Sequence, residues 1–128
     1  MAELRIPYTR LYETFQKILL QTGFSDERAL LCAELFAKAS LDGVASHGLN
    51  RFPGFVQLIV DGYIDIHAEP RLINNFGCFE RWDGQLGPGN LNAYHCMQRA
   101  IDISRENGMG LVSLKNTNHW MRAGNFGW

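Results

Sequence analysis

Several marks of well-defined protein classes are missing from this sequence. Its 128 residues carry 12 basic and 13 acidic side chains, for a formal net charge of −1, and neither sign gathers into a stripe or tail. No footprint for a phosphate backbone exists, so nucleic acid is excluded as an expected partner. No apolar run approaches the roughly 20 residues that cross a bilayer, and a membrane partner is not expected either. The opening MAELRIPYTR lacks the apolar core of a secretory leader. Only three cysteines occur, Cys32, Cys78 and Cys96, far apart and without a CxxC pair. Such a set argues against a disulfide framework and fits a reducing cytoplasm, with the thiols serving as small buried apolar groups. The four histidines, His47, His67, His95 and His119, show neither HxxxH nor HExxH spacing, so no metal is expected. P-loop, paired-carboxylate and nucleophile-elbow patterns are also missing.

What is present is a core. Apolar residues make up 46% of the chain, with eight Phe, four Tyr and three Trp, which argues against disorder. Leu11, Phe15, Ile18 and Leu19 form one face of a helix over 8–22, which Gly23 terminates. Ser25, Asp26 and Glu27 read as the cap and acidic first turn of a second helix running to Leu41. Its apolar set is wide enough to be covered on more than one side. A third helix is expected from about His47 or Gly48 to Asp61, with Pro53 forcing a late start or a bend. The period then changes. Arg71–Asn74 and Cys78–Asp83 read as strands turning at Phe76-Gly77. GQLGPGN is loop, with Asn90 as the N-cap of a helix to Glu106, and Gly110–Leu114 reads as a short buried strand. The fold class is therefore α/β, in the mixed α+β sense. A helical region over 1–70 precedes a sheet region over 71–128.

Two constellations carry candidate chemistry. In Ser46-His47-Gly48-Leu49-Asn50-Arg51, a helix would place His47 and Arg51 four apart on one face. Reduction of a 2-oxo acid needs a proton for the carbonyl oxygen and a grip on the carboxylate. An imidazole suits the first and a guanidinium fork the second. Ser46 is a candidate cap or substrate ligand. On spacing alone an ordinary N-cap, a surface histidine and a solvated arginine stand ahead, because i,i+4 pairs are common. The other constellation, Asn116-Thr117-Asn118-His119-Trp120, follows the apolar strand, where α/β proteins tend to place ligand contacts. His119 is a candidate for substrate or nicotinamide contact and Trp120 for a pocket wall. A hydrogen-bonded loop with Trp120 in the core reads equally well. The GxxGxG of residues 84–89 is a weak phosphate cradle and a better turn.

Taken in order, SHGLNRFPGF, ERWDGQLGPGNLNA and GLVSLKNTNHWMRAGNFG resemble the type-2 malate/L-lactate dehydrogenase family, and the likeness runs through essentially the whole chain. Many members have Phe-Gly after the Asn-His pair. Here Trp120-Met121-Arg122 stands instead, which resembles the branch that reduces 2,3-diketo-L-gulonate. The resemblance implies reduction of a 2-oxo acid by NADH, with NADPH open. It implies His47 as catalytic proton donor, and Ser46, Arg51 and His119 in the substrate site. It also implies a non-Rossmann sheet domain and a cytoplasmic homodimer. No cofactor-binding residue is assigned, since most nicotinamide contacts lie in later parts of the family's chain. A carboxylate partner for His47 would also come from there.

The sequence stops at GNFGW without a closing signal, so a truncated protein with an incomplete fold is expected, inactive and aggregation-prone by itself. Other readings are a branch acting on malate, lactate, ureidoglycolate or a related hydroxy or imino acid, and a non-catalytic helical interaction module.

Overall fold

A computed structural model describes residues 5–127. Helix α1 (Tyr8–Gln21) buries Phe15 and Leu19 and ends at Gly23, whose φ of +101° suits glycine. Helix α2 (Asp26–Leu41) carries Asp26 and Glu27 in its first turn. Ser25 occupies the N-cap, but its hydroxyl makes no capping bond. As its broad apolar surface predicts, α2 is the central element: Ala29, Cys32, Ala33, Leu35, Phe36, Ala37 and Ala39 are all buried. Helix α3 (Phe52–Val60) starts late, with Pro53 in the first turn, where its missing N–H is no loss. An aromatic cluster joins the three helices. The Phe15 and Phe52 rings lie 4.1 Å apart, and Phe36 sits 5.1 Å from both Phe52 and Phe55.

Strands β1 (Arg71–Phe76) and β2 (Phe79–Asp83) form the expected antiparallel hairpin about Gly77, with an irregularity between Leu72 and Asn74. Helix α4 (Gly89–Asn107) then carries the chain to β3 (Leu111–Lys115), which pairs parallel to β2 and gives the sheet order β1-β2-β3. A buried Glu80 on β2 receives Nη2 and Nε of Arg99 from α4 at 2.6 and 3.2 Å, and Trp82 Nε1 at 2.7 Å. These bonds hold its pKa below the ordinary carboxylate range, chiefly through Arg99.

Three local expectations need correction. The strand over 110–114 was expected to be buried, yet Leu111 is 56% exposed, because side chains alternate along β3 and Leu111, Ser113 and Lys115 share its open face. Asn90 does not cap α4. The helix begins at Gly89 after Pro88, and Asn90 is buried inside it, donating from Nδ2 to Cys32 Sγ at 3.2 Å. The third helix does not begin at His47, as described below. The expectation of an element in progress at Trp128 lies outside the described residues, as do the first four residues of the opening segment. Among the described residues no helix is long and apolar enough to cross a membrane.

Candidate active site

Ser46 and His47 sit on a short 3₁₀ turn, Ala45–His47, between α2 and α3. Gly48 follows with φ −107° and ψ −118°, well outside helical values. The chain therefore changes direction between His47 and Arg51, and the two do not occupy successive turns of one α-helix as their spacing suggested. Arg51 is instead the N-cap residue of α3, its N–H bonded to the Gly48 carbonyl at 3.0 Å. Gly48 is pressed against α2, where a Cβ would come within 2.1 Å of Ser40 Oγ. That hydroxyl also accepts the Leu49 N–H at 2.8 Å, which docks the turn onto the end of α2. Ser46 does not cap a helix either; its Oγ lies 2.9 Å from His47 Nδ1.

His119 reaches the same place from the other side of the fold. The segment after β3 is tied down residue by residue. Asn116, at φ +49°, donates from Nδ2 to the Asp83 carboxylate at 3.1 Å. Bonds from Gln85 N–H and Asn116 hold that carboxyl below its ordinary pKa. Thr117 Oγ1 accepts from Asn92 Nδ2 at 2.9 Å, and the same amide donates to the Gly84 carbonyl at 3.0 Å. Asn118 Nδ2 faces three carbonyls, those of Leu86 at 3.0 Å and of Tyr63 and Gly87 at 3.3 Å. A side chain on Gly89 would run into the backbone carbonyls of Asn118 and His119, so the first turn of α4 lies directly beneath this segment.

The outcome is that the His47 and His119 rings stand 5.7 Å apart, tilted by 38°. Arg51, Asn118, His119 and Met121 line a common cavity of about 340 Å³, completed by the apolar side chains of α3 and Ile64. Desolvation pushes the His119 pKa below its usual value, and the neighbouring Arg51 and His47 push it further the same way. Its Nδ1 accepts the backbone N–H of Met121 at 2.9 Å. In the neutral ring that bond leaves the proton on Nε2.

A larger groove of about 770 Å³ runs between α4 and β3 and meets the smaller cavity at Asn118 and His119. Its walls are mostly apolar, and Trp120, 53% exposed, stands on its rim rather than in the core. Among the described residues no Lys, Arg, Asp or Glu lines it. The smaller cavity carries the Arg51 guanidinium and the His119 ring, and the His47 ring stands beside the latter. Among the described residues no group of three His, Cys, Asp or Glu side chains is arranged to hold a metal ion.

Of the four candidate residues, Arg51 and His119 line the smaller cavity, His47 stands beside His119, and Ser46 joins them only through its contact with His47. Gly89 and Met121 were given no role from the sequence, and Asn118 was named only as one of a polar run, although each fixes part of that region. Gly89 was hidden in a segment that reads as turn, and Asn118 in a run of polar residues with nothing to rank its members.

Comparison with known proteins gives a consistent picture. The family model described as malate/L-lactate dehydrogenase matches residues 6–128. A 2,3-diketo-L-gulonate reductase of Citrobacter koseri is 45% identical over 125 residues, covering 98% of this chain and 38% of the relative. The malate dehydrogenase of Pyrococcus horikoshii superposes with a TM-score of 0.92 at 32% identity, over 96% of this chain and 35% of that one. The sulfolactate dehydrogenase of Methanocaldococcus jannaschii gives 0.92 at 27% identity, over 96% and 36%. The chain spans less than two fifths of the length of each.

Proposed function

The chain belongs to the malate/L-lactate dehydrogenase family, and from that premise we propose that the protein carrying it reduces a 2-oxo acid at the expense of NADH, with His47 delivering the proton. The substrate favoured by the 45% identical relative is 2,3-diketo-L-gulonate, reduced to 3-keto-L-gulonate. When bound, the reduced nicotinamide supplies the hydride at the carbonyl carbon. Trp120 and the apolar groove beyond His119 would receive its ring. NADPH is the alternative donor.

The protein's own residues divide the remaining work. Arg51, beside the cavity, offers a two-pronged fork to the substrate carboxylate. As negative charge builds on the carbonyl oxygen, His47 gives it the proton from Nε2. Ser46 Oγ can accept an Nδ1–H of His47 before and after that transfer, so the ring stays held in both protonation states. His119 is suited to a different task. A proton on its Nδ1 would face the Met121 N–H, so its cation is disfavoured, and it serves as a fixed Nε2–H donor to the substrate.

This contrast between the Nδ1 partners of the two histidines carries the assignment. Steady-state reduction of 2,3-diketo-L-gulonate by the full-length protein tests it. His47→Ala should lower kcat by about 10²–10⁴-fold with the fold intact. Undiminished turnover would remove His47 from the role. The 128 residues alone are expected to be inactive, since among the described residues none offers the cofactor phosphates a charged contact in the groove. A cytoplasmic homodimer completes the proposal.

A further inference from the structure

The segments that carry His47 and His119 are joined by an ion pair whose members lie 80 positions apart: Arg122 Nη1 donates to Asp42 Oδ2. Asp42 is the C-cap of α2, and the turn bearing His47 begins just beyond it. A carboxylate at a helix C-terminus opposes the macrodipole, so α2 gives no reason of its own for an acid there. Arg122 follows Met121, whose N–H bonds His119 Nδ1. The Arg122 side chain is only 16% exposed, against 45% for Asp42, so solvent screens the pair in part. Beside it Asn125, on the 3₁₀ turn Ala123–Phe126, accepts from Arg122 Nη1 at 3.5 Å and donates from Nδ2 to the Leu35 carbonyl of α2 at 2.9 Å.

Both histidines therefore hang from the end of α2. Ser40 docks the His47 turn onto it, and Asp42 takes hold of the His119 segment through Arg122. We propose that Asp42 and Arg122 are positioning residues, their ion pair fixing how far the His119 ring stands from the His47 ring. The kinetic consequence rests on the reductase reading above. Neither residue lines the smaller cavity, so the pair acts through the two rings. A partly exposed pair contributes little to folding, whereas a misplacement of about 1 Å among reacting groups can cost about a hundredfold in rate. Breaking the pair should thus leave a folded enzyme with a slower chemical step. Arg51 is held by α3 and keeps its place, so the grip on the carboxylate should persist.

Two measurements on the full-length protein test this. Crystal structures of Asp42→Asn and Arg122→Gln should show the ring separation changed by about 1 Å or more from 5.7 Å. Kinetics with 2,3-diketo-L-gulonate supply the second, with kcat expressed per folded molecule counted by near-ultraviolet circular dichroism. Each single variant should lose about tenfold or more in kcat while KM stays within about twofold. The double variant should lose no more than the worse single one, because each substitution removes the same pair. Rings that keep their separation in both crystal structures overturn the positioning role and leave the reductase reading intact. So do an unchanged kcat in the single variants and losses that multiply in the double variant. A wild type that reduces no 2-oxo acid overturns the reductase reading, and the ring separation still decides the role of the pair.

Discussion

Gly89 and Asn118 meet backbone to backbone, so closely that a Cβ on the glycine would lie 2.1 Å from the Asn118 carbonyl oxygen. No side-chain rotation relieves such a clash, because both atoms belong to or hang directly from the main chain. Gly89→Ala should therefore push the 118–119 segment off the first turn of α4. The expected loss is about 1–3 kcal/mol of stability, typical of overpacking. Urea unfolding measures it, and a loss under a few tenths of a kcal/mol would show that the contact is slack.

Arg51 is assigned to the carboxylate through its planar fork. Arg51→Lys keeps the charge and loses the paired geometry. In the full-length enzyme kcat/KM should drop by about 10–100-fold, equivalent to about 1.5–3 kcal/mol for a charge-assisted bond. Most of the change should appear in KM if the contact is equally strong in ground and transition states. Unaltered kinetics would move the carboxylate elsewhere.

Glu80 is 5% exposed and holds two guanidinium nitrogens of Arg99, which itself remains partly in contact with solvent. Removing the arginine strands a buried carboxylate; removing the acid leaves a cation that can turn to water. Arg99→Met should accordingly destabilise by about 2–3 kcal/mol, and more than Glu80→Gln does. Chemical denaturation of both variants decides the order.

Stability should decline in two stages as pH falls. His119 and His95 have folded pKa values below the usual 6.5, both chiefly through desolvation. The unfolded chain therefore takes up their protons first, and stability is lost as pH drops from near that value through the folded ones. Glu80 and Asp83 also have depressed values. Their contribution is present above the ordinary carboxylate range and disappears as pH falls through their folded values. Denaturation midpoints across this range check both stages; a flat profile between neutrality and about pH 5 would contradict the first.

The cysteines should differ sharply in reactivity. Burial pushes the Cys32 thiol up to about 12 and Cys96 up to about 11. Cys78 is only half-buried. A thiol-specific reagent should modify Cys78 in the native protein, and Cys32 and Cys96 only on unfolding, since the thiolate is the reactive form. Rapid labelling of Cys32 would show that α2 is not packed as described.

Periodicity made much of the fold legible. Phe15 and Leu19, or the broad apolar surface of α2, announce themselves because burial at fixed spacing leaves a record along the chain. The hairpin was readable for the same reason, helped by Gly77. The site was readable only in part. His47, Arg51 and His119 carry chemistry that can be named from residue type, but their meeting depends on Gly48 breaking the helix and on Asn118 anchoring the opposite segment. Neither leaves a periodic trace. The bend at Gly48 follows from its contact with Ser40, and such contacts are invisible until the chain is folded. Exposure of Leu111 was misjudged because a short apolar run reads the same in a strand with one open face as in one covered on both.

The carbonyls that Asn118 faces come from residues 31, 32 and 55 positions away along the chain. No local stretch can therefore place His119 by itself. The loop before α4 and the end of the third helix must already have docked, so this corner forms late during folding and is among the earliest to open when the protein loosens. An enzyme built this way would lose turnover under mild denaturant before its helices melt.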